Sequence, residues 1–396
     1  MSKDPIVIVG AARTPLGAFQ GSLSKLTAAE LGAHAIAAAI ARSGLGPESV
    51  EETVFGCVLT AGQGQAPARQ AAIKANVPVR SGATTVNKMC GSGMKAAMLA
   101  NDLLVAGSVD VVVAGGMESM SNAPYLLDRA RSGYRMGHGR TIDHMFMDGL
   151  EDAYEKGSLM GVFADQCAEE FQFSRELQDE YAIRSLSRAQ TAIAEGRFAD
   201  EIAPITLPED KAGGQLISVD EQPGKARVEK IPTLRPAFRA GGTVTAANSS
   251  SISDGAAALV LMRRSEAEKR GLTPLAAIVG HATHGDAPSR FPTAPVHAMR
   301  DLLEKVDWRV GDVDLFEINE AFAVVPMAAM RELGLQAGRV NVNGGACALG
   351  HPIGASGARI MVTLLSALRA AKLSRGIASV CIGGGEATAV AIEICQ

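Results

Sequence analysis

Two cysteines in glycine-rich surroundings, with a histidine between them in the chain, carry the chemistry that the sequence offers. Cys90 opens a glycine-rich segment, Cys381 shortly precedes three consecutive glycines, and His351 lies between a glycine and a proline. A thiolate next to a base is a nucleophile, and a second thiol can move a proton. The three residues therefore predict a thioester enzyme that acylates one sulfur and uses the other as acid and base in carbon–carbon chemistry.

The elements that must position these residues alternate between strands and helices. A helix is predicted from Ser92 to Ala106, so Cys90 lies at its N-terminus, where unpaired N–H groups and the helix dipole lower the pKa of a thiol. Continuous apolar runs predict buried strands over residues 109–114 and 377–382, each ending near consecutive glycines. The remaining predicted elements are strands over 6–10, 256–262 and 313–318, a capped helix from Thr27 to Gly44, and a long amphipathic helix from Ser174 to Gly196.

Composition is typical of a large α/β protein. The 396 residues can bury a sizeable core, and 43 glycines with only 4% aromatic residues fit many strand-to-helix turns. The net charge of −4 argues against nucleic-acid binding, and no apolar run approaches the roughly 20 residues of a membrane helix. The six cysteines include no C-x-x-C pair and read as reduced thiols, so a cytoplasmic location is expected.

A weak internal repeat predicts two related αβ halves. Residues 110–118 align with residues 378–386, and each segment is a strand that leads into glycines and a glutamate. The intervening stretch 120–250 lacks the regular alternation, so we interpret it as an insertion in the first half. The predicted fold class is α/β. Its units are an N-terminal half (residues 1–119 and 251–272), an inserted loop domain (120–250) and a C-terminal half (273–396).

Eight motifs in one order give the chain a resemblance to the thiolase family, the acyl-CoA acetyltransferases, over about residues 6–395. They lie at residues 10–15, 87–93, 115–121, 243–250, 319–322, 343–346, 350–357 and 381–385. Any one motif would be a weak signal, but the ordered set is specific. The resemblance implies duplicated halves that form a layered α-β-α-β-α core.

The resemblance also implies a role for each reactive residue. Cys90 would attack the acyl thioester, and His351 would take the thiol proton. The backbone N–H groups of Cys90 and Gly383 would form the oxyanion hole. Cys381 would remove the α-proton of a second acetyl-CoA, while Asn319 would position a water that, with His351, stabilises the enolate.

Coenzyme A and acetyl-CoA are the substrates that the resemblance implies, with no covalently bound cofactor and no metal. The family places Ala246 and Ser250 against the pantetheine arm and Met160 over the acyl pocket. An arginine often found near the nucleotide end is missing from this chain. Lys225 or Arg227 would substitute for it only as a point charge.

Two pocket residues bear on acyl-chain preference. Leu159 stands where many family members have a histidine, and Phe291 stands where others have a methionine, as in some members that accept a 2-methyl-branched acyl group. The segment around Cys90 is similar to the short-chain acetoacetyl-CoA enzymes. We therefore expect condensation of two acetyl-CoA to acetoacetyl-CoA and the reverse thiolysis. The alternative is a broader-chain or 2-methyl-branched 3-ketoacyl-CoA range.

Three more distant functions stay open at this point. A ketoacyl synthase would carry a residue other than cysteine at the position of Cys381. A catalytically silent acyl-CoA or lipid binder would not need the reactive set. A hydrolase built on a Cys–His pair would release free coenzyme A from acetyl-CoA without forming a carbon–carbon bond.

Several other residues receive weaker interpretations. The resemblance implies a homo-oligomer, a dimer of dimers, and a basic run is either a solvated turn or a hairpin that helps join two dimers. That run consists of Arg129, Arg131, Arg135 and Arg140. His281 and His284 have metal-like spacing, but no cysteine or carboxylate cluster joins them, so they are interpreted as loop or surface histidines. Cys347 is expected to line the site without a role.

Overall fold

The structure is a computed structural model that describes residues 4–207 and 214–395. The strands in these ranges are β1 (Ile6–Arg13), β2 (Gly17–Ala18), β3 (Glu52–Gly56), β4 (Gly82–Val86), β5 (Val111–Ser119), β6 (Tyr125–Leu126), β7 (Ile142–Asp143), β8 (Ile205–Thr206), β9 (Leu216–Ile217), β10 (Ser253–Arg263), β11 (Ala276–Gly285), β12 (Leu315–Ile318), β13 (Arg375–Ile382) and β14 (Glu386–Ile394). The α-helices are α1 (Ala28–Ser43), α2 (Pro67–Lys74), α3 (Ser92–Val105), α4 (Met160–Glu170), α5 (Arg175–Ala194), α6 (Glu221–Lys225), α7 (Arg264–Lys269), α8 (Ala294–Val306), α9 (Val324–Leu333), α10 (Ala346–Leu349) and α11 (Ile353–Ala371).

One mixed sheet of ten strands organises the chain. Its order is β12-β13-β14-β11-β1-β10-β5-β3-β4, and β2 pairs with β10. The pairs of β3 with β4, β3 with β5, and β12 with β13 are parallel, and the other pairs are antiparallel. Only Val7 with Ala277 and Ile8 with Ala276 join β1 to β11. The sheet therefore divides there into two half-sheets.

The core has five layers because strand side chains alternate between two faces. On β10, Ala258 and Val260 belong to the cluster formed with α1 and α2, while Ala257 and Leu259 face the cluster of α3 and α11. The C-terminal half-sheet contributes Val380 to that same α3–α11 cluster and packs its other face on α4, α8 and α9. The resulting order confirms the predicted α-β-α-β-α core.

The two half-sheets share one connectivity. The orders β3-β5-β10-β1 and β12-β13-β14-β11 correspond strand by strand, with α3 before β5 and α11 before β13. In the first half, residues 120–252 separate β5 from the antiparallel β10. In the second half, residues 383–385 alone join β13 to β14. This topology agrees with a duplicated unit that carries an insertion in its first copy.

Local sequence signals act at the element ends as predicted. The hydroxyl of Thr27 accepts the N–H of Glu30 at 3.3 Å, and the Glu30 carboxylate accepts the N–H of Thr27 at 2.9 Å, so the capping box of α1 is confirmed. Ser174 caps α5 through the N–H of Leu177. By length and composition α11 could cross a membrane, but 83% of its apolar window is buried inside the protein.

The end of β5 differs from the prediction. The strand expected to stop at Gly115 continues to Ser119, because β10 pairs with it residue by residue as far as Asp254. A Cβ at Gly116 would collide with the carbonyl oxygen of Gly354 in α11. Gly116 therefore lets α11 approach the sheet closely, and the two glycines do not end the strand.

Candidate active site

An apolar cavity of about 360 Å³ brings most of the predicted site residues together. Those in its wall are Cys90, His351, Cys381, Gly383, Ala246, Ser250, Met160, Leu159 and Phe291. Asn319 is not in the wall. It is fully buried behind the histidine, with its Nδ2 atom 3.5 Å from Nε2 of His351.

A strained turn presents Cys90 at the start of α3. Met89, the residue before it, has a φ of 47°, in the left-handed region that a side chain rarely adopts. The hydroxyl of Ser92 holds this turn, since it accepts the N–H of Lys88 at 2.8 Å and donates to the carbonyl of Met89 at 2.7 Å. Lys88 also forms an ion pair of 2.6 Å with Glu386 at the start of β14. The loop that carries Cys90 is thereby attached to both halves.

The predicted place of Cys90 is confirmed, but the predicted direction of its pKa is wrong. Burial raises the pKa of the Cys90 thiol to about 11, although the N–H groups of Gly383 and of Cys90 itself face the sulfur and lower it. Desolvation of a thiolate outweighs two N–H dipoles here. The resting group is a thiol, and the backbone N–H groups of Gly383 and Cys90 both lie within hydrogen-bonding reach of its sulfur.

A glycine with positive φ positions the loop of His351. Gly350 has a φ of 107°, and a Cβ there would collide with the hydroxyl of Ser253, so only glycine fits. The N–H of His351 donates to the carbonyl of Ser251 at 3.1 Å. The imidazole therefore enters the cavity from a rigid backbone at the N-terminus of α11.

One hydroxyl fixes the tautomer of His351. Ser356 donates to the carbonyl of Pro352 at 2.9 Å, so at 2.5 Å from Nδ1 it accepts the imidazole N–H. Nε2 is then left without a proton, as a base. Burial, and after it the guanidinium of Arg359, lowers the pKa of His351 to about 3, so the ring is neutral.

Cys381 ends β13 against the same cavity. Burial, and after it the neighbouring Cys90, raises the pKa of the Cys381 thiol well above its ordinary value. The chain then turns through Gly384 and Gly385, both at positive φ, into β14. The sulfur of Met160 lies 3.5 Å from the place of a Cβ on Gly383, so this methionine covers the loop.

Glu118 is a site residue to which the sequence assigned no role, although it lies within the motif 115–121. Its buried carboxylate accepts the N–H groups of Val58 at 3.0 Å, Leu59 at 3.1 Å and Gly354 at 2.9 Å. Burial raises the pKa of Glu118 to about 7, against those three donors. The side chain thus ties the end of β5 to the N-terminus of α11, close to Cys90.

Glu320, the residue after Asn319, is anchored by buried hydrogen bonds that sequence reasoning missed as well. Its carboxylate accepts hydrogen bonds from Tyr181 at 2.9 Å, Ser185 at 2.7 Å and Asn341 at 2.8 Å. The backbone N–H of Asn319 is itself bonded to β13 at 2.9 Å. The motif 319–322 signals this segment, but the partners come from α5 and from a distant loop that no local pattern links to it.

A second cavity of about 420 Å³ adjoins the first, and Ala246 and Ser251 line both. Three cationic side chains stand in its wall, namely Lys225, Arg227 and Lys230. Cys347 also lines this second cavity. Burial, and after it Glu320, raises the pKa of the Cys347 thiol well above its ordinary value.

The basic run lies on an exposed hairpin. β6 and β7 pair at its base, and residues 128–141 between them are exposed. Met136 at its tip is 96% exposed. The geometry is compatible with both interpretations of the run, a solvated turn and a contact between copies.

Comparisons with known proteins agree along the whole chain. Residues 6–265 match the family model for the thiolase N-terminal domain, and residues 272–394 match that for the thiolase C-terminal domain. The chain is 48% identical to an acetyl-CoA acetyltransferase of Cupriavidus necator, covering 98% of this chain and 99% of that protein. It is 49% identical to acetyl-CoA acetyltransferase 2 of Arabidopsis thaliana, covering 98% and 97%. A crystal structure of a thiolase from Ascaris suum in complex with coenzyme A superposes with a TM-score of 0.93 at 41% identity, covering 99% of this chain and 100% of that one.

Proposed function

Since this chain belongs to the thiolase family, we propose that it condenses two acetyl-CoA molecules to acetoacetyl-CoA and coenzyme A, and that it catalyses the reverse thiolysis. The relatives named acetyl-CoA acetyltransferase support this over nearly their full length. One observation carries the proposal. Cys90, His351 and Cys381 line a single apolar cavity, which supplies a nucleophile and a separate acid/base.

Acylation uses the first sulfur. Cys90 attacks the thioester carbonyl of acetyl-CoA while its proton passes to the free Nε2 of His351. The N–H groups of Cys90 and Gly383 stabilise the oxyanion. The tetrahedral intermediate then expels the thiolate of coenzyme A, which takes the proton from His351. An acetyl group remains on Cys90.

Condensation uses the second sulfur. Cys381 first passes its thiol proton to Nε2 of His351, and the resulting thiolate removes the α-proton of the second acetyl-CoA. The enolate oxygen is stabilised by the His351 imidazolium together with a water held by Asn319. The carbanion attacks the acetyl group on Cys90, and the C–S bond breaks. The Cys90 thiolate takes the proton from His351, and Cys381 keeps the α-proton, so acetoacetyl-CoA leaves and the thiols and the neutral imidazole are restored.

Coenzyme A would occupy the junction of the two cavities. Its reactive thioester would lie in the apolar cavity, and its pantetheine arm would pass Ala246 and Ser250. The anionic nucleotide end would meet the cationic wall of the second cavity, where Lys225 and Arg227 stand in place of the arginine that the family often has. Acetyl-CoA and acetoacetyl-CoA are thus the proposed small-molecule partners, and the proposed machinery uses no metal.

The thiolysis of 2-methyl-branched or longer 3-ketoacyl-CoA is a second candidate activity. Phe291 is buried in the cavity wall and meets the ring of Phe322 edge-on, with ring centroids 6.1 Å apart. Leu159 adds a further apolar surface instead of a histidine. A comparison of kcat/KM for acetoacetyl-CoA and 2-methylacetoacetyl-CoA tests this candidate, and a ratio far above one for the unbranched substrate excludes it.

Assembly, location and domain division are further parts of the proposal. Exposed apolar side chains on the hairpin, such as Met136 at its tip, favour a homo-oligomer, which would be a dimer of dimers. All six cysteines are free thiols, which suits a cytoplasmic enzyme. The proposed halves are residues 1–119 with 251–272 and residues 273–396, and residues 120–250 would be the inserted domain that binds coenzyme A.

The test separates the two sulfurs. Intact-mass measurements after addition of acetyl-CoA should show no acetyl-enzyme for Cys90→Ser. For Cys381→Ala they should show one stable acetyl group, while formation of acetoacetyl-CoA falls by about 10²–10⁴-fold because the acid/base is missing. Cys395→Ala, outside the cavity, is the matched control and should behave as wild type.

Condensation at a normal rate by Cys381→Ala would refute the assigned roles. Release of free coenzyme A from acetyl-CoA without acetoacetyl-CoA would favour the hydrolase. Decarboxylation of a malonyl thioester would favour a ketoacyl synthase, and an unmodified wild-type protein would leave only the silent binder.

A further inference from the structure

Three side chains at the outer end of β11 and on α8 converge like metal ligands. His284, Asp286 and His297 each offer one ligand atom, and these atoms all lie within 4.8 Å of one another. The two imidazole rings are stacked, with centroids 4.7 Å apart and an interplanar angle of 21°. We propose that His284, Asp286 and His297 bind a divalent transition-metal ion, of the class represented by Zn²⁺, Co²⁺ and Ni²⁺.

The spacing of the histidines in the sequence does not reveal that these three side chains lie together. His281 and His284 are three residues apart on β11, and side chains at that spacing on a strand point to opposite faces of the sheet. His281 accordingly meets Asp102 at 2.9 Å on one side. His284 meets α8 on the other side, where His297 supplies the second imidazole.

A carboxylate fixes the tautomer that a metal ligand needs. Nδ1 of His284 lies 3.2 Å from the carboxylate of Asp301, one turn after His297 on α8. Donation of the Nδ1 proton to that carboxylate leaves Nε2 free to ligate. Histidines that bind metals commonly donate their other N–H to a carboxylate in this way.

The distances require only side-chain rotation. Zn–N and Zn–O bonds of about 2.0–2.2 Å put tetrahedral ligands roughly 3.3 Å apart, so the present separations close by about 1.5 Å at most. Burial, and after it His284, lowers the pKa of His297, which favours the neutral form that ligates. A metal would displace the guanidinium of Arg290, now 3.4 Å from Asp286. Three protein ligands leave one position for water.

The location gives such an ion a structural consequence. The N–H of Asp286 donates to the carbonyl of Gly385 at 2.8 Å, at the end of the glycine turn that supplies the Gly383 N–H. Phe291, in the wall of the apolar cavity, lies in sequence between the second and third ligands. A bound ion would therefore join residues 284–286 to α8 and stabilise the glycine turn 383–385 beside them.

The test uses the full-length enzyme stripped of metal. Zn²⁺ affinity is measured by calorimetry, the melting temperature with and without Zn²⁺, and the ligand type from the visible spectrum of bound Co²⁺. Wild type should bind one equivalent with nitrogen and oxygen ligands. His297→Gln should weaken the affinity at least about tenfold, since even the loss of an outer partner costs about 10–100-fold. His281→Gln, on the same strand but outside the cluster, should bind as wild type does.

The two active-site thiols, Cys90 and Cys381, offer a competing site for a soft metal. The experiment distinguishes binding there from binding to His284, Asp286 and His297. Alkylation of Cys90 with iodoacetamide before the titration should leave the nitrogen and oxygen site intact. Zn²⁺ should raise the melting temperature of wild type and of His281→Gln, but not that of His297→Gln. Equal Zn²⁺ affinity in wild type and His297→Gln, or a Co²⁺ spectrum with thiolate charge-transfer bands that alkylation removes, would overturn the proposal.

Discussion

The resting enzyme should hold Cys90 and His351 as an uncharged pair, in contrast to a preformed thiolate–imidazolium. The reason is burial, which raises the pKa of the thiol to about 11 and lowers that of the imidazole to about 3. A raised pKa means that the thiol keeps its proton over most of the working pH range. Its thiolate appears only as the pH rises towards 11, and at pH 9 about 1% should be ionised.

The difference between the two pKa values decides between the neutral pair and the ion pair. The two pKa values lie about eight pH units apart, and each unit corresponds to about 1.4 kcal/mol, so transfer of the proton to the imidazole costs about 11 kcal/mol. Attraction between charges about 4 Å apart returns only about 4 kcal/mol at an effective dielectric constant of about 20. The neutral pair is favoured by about 7 kcal/mol, which leaves an ion-pair population of about 10⁻⁵.

Ultraviolet thiolate absorbance measures this directly. Wild type and Cys90→Ser are titrated from pH 6 to pH 10, and their difference isolates one sulfur from the other five. We expect no difference signal at pH 7 and the first rise above pH 9, and His351→Asn should give the same curve. A signal of one thiolate at pH 7 that is lost in His351→Asn would refute the reasoning, because it would mean that a preformed ion pair exists.

Three further substitutions probe the supports of the site. Ser356→Ala leaves the Nδ1–H of His351 buried without an acceptor, which costs about 1–3 kcal/mol of stability, so the melting temperature should fall by a few degrees. Acetylation measured by rapid-quench mass analysis should slow by about 10–100-fold, because the tautomer that leaves Nε2 unprotonated is no longer held; an unchanged rate contradicts the tautomer assignment. Gly116→Ala drives a methyl group into a carbonyl of α11 and should lower the free energy of unfolding by about 1–3 kcal/mol in urea titrations, whereas Gly338→Ala, with open space around its Cβ, should have no comparable effect. Glu320→Ala leaves several buried donors unpaired and should destabilise the protein by about 3–5 kcal/mol on the same measurement.

The sequence could predict which residues share the apolar cavity because their signals are local. Cys90, His351 and Cys381 each lie in a glycine-rich segment. The order of the motifs indicated the layered fold, and local capping residues such as Thr27 and Ser174 indicated the helix starts. The pKa of Cys90 could not be predicted, since the helix terminus is visible in sequence but the burial that outweighs it depends on residues from both halves. Asn319 was predicted to serve the site, yet only the structure shows that it stands behind the histidine.

Non-local partners account for the other differences. β5 continues through its glycines because β10, which lies beyond the insertion, supplies hydrogen bonds along its full length. Glu118 and Ser356 lie in recognised motifs, but their tasks follow from which N–H groups and which ring they meet after folding. His284 and His297 are far enough apart in sequence, and on different element types, that no periodicity relates them.

The duplication explains how one cavity can hold two sulfurs with the different tasks proposed for them. Cys90 lies two residues before α3 and His351 two residues before α11, so the proposed nucleophile and the proposed base occupy corresponding places in the two copies. The copies diverge where a strand leads into glycines. In the first copy the strand β5 runs on to the insertion at residue 120, and in the second β13 stops at Ile382 and turns back at once. That tight turn brings the Gly383 N–H to Cys90 and leaves Cys381 at the strand end.

The insertion in the first copy contributes to the same cavity, because it supplies Met160, which covers it. The proposed catalysis therefore depends on how closely α11 packs on β5 between the half-sheets, which is the contact that a methyl group at Gly116 would disturb.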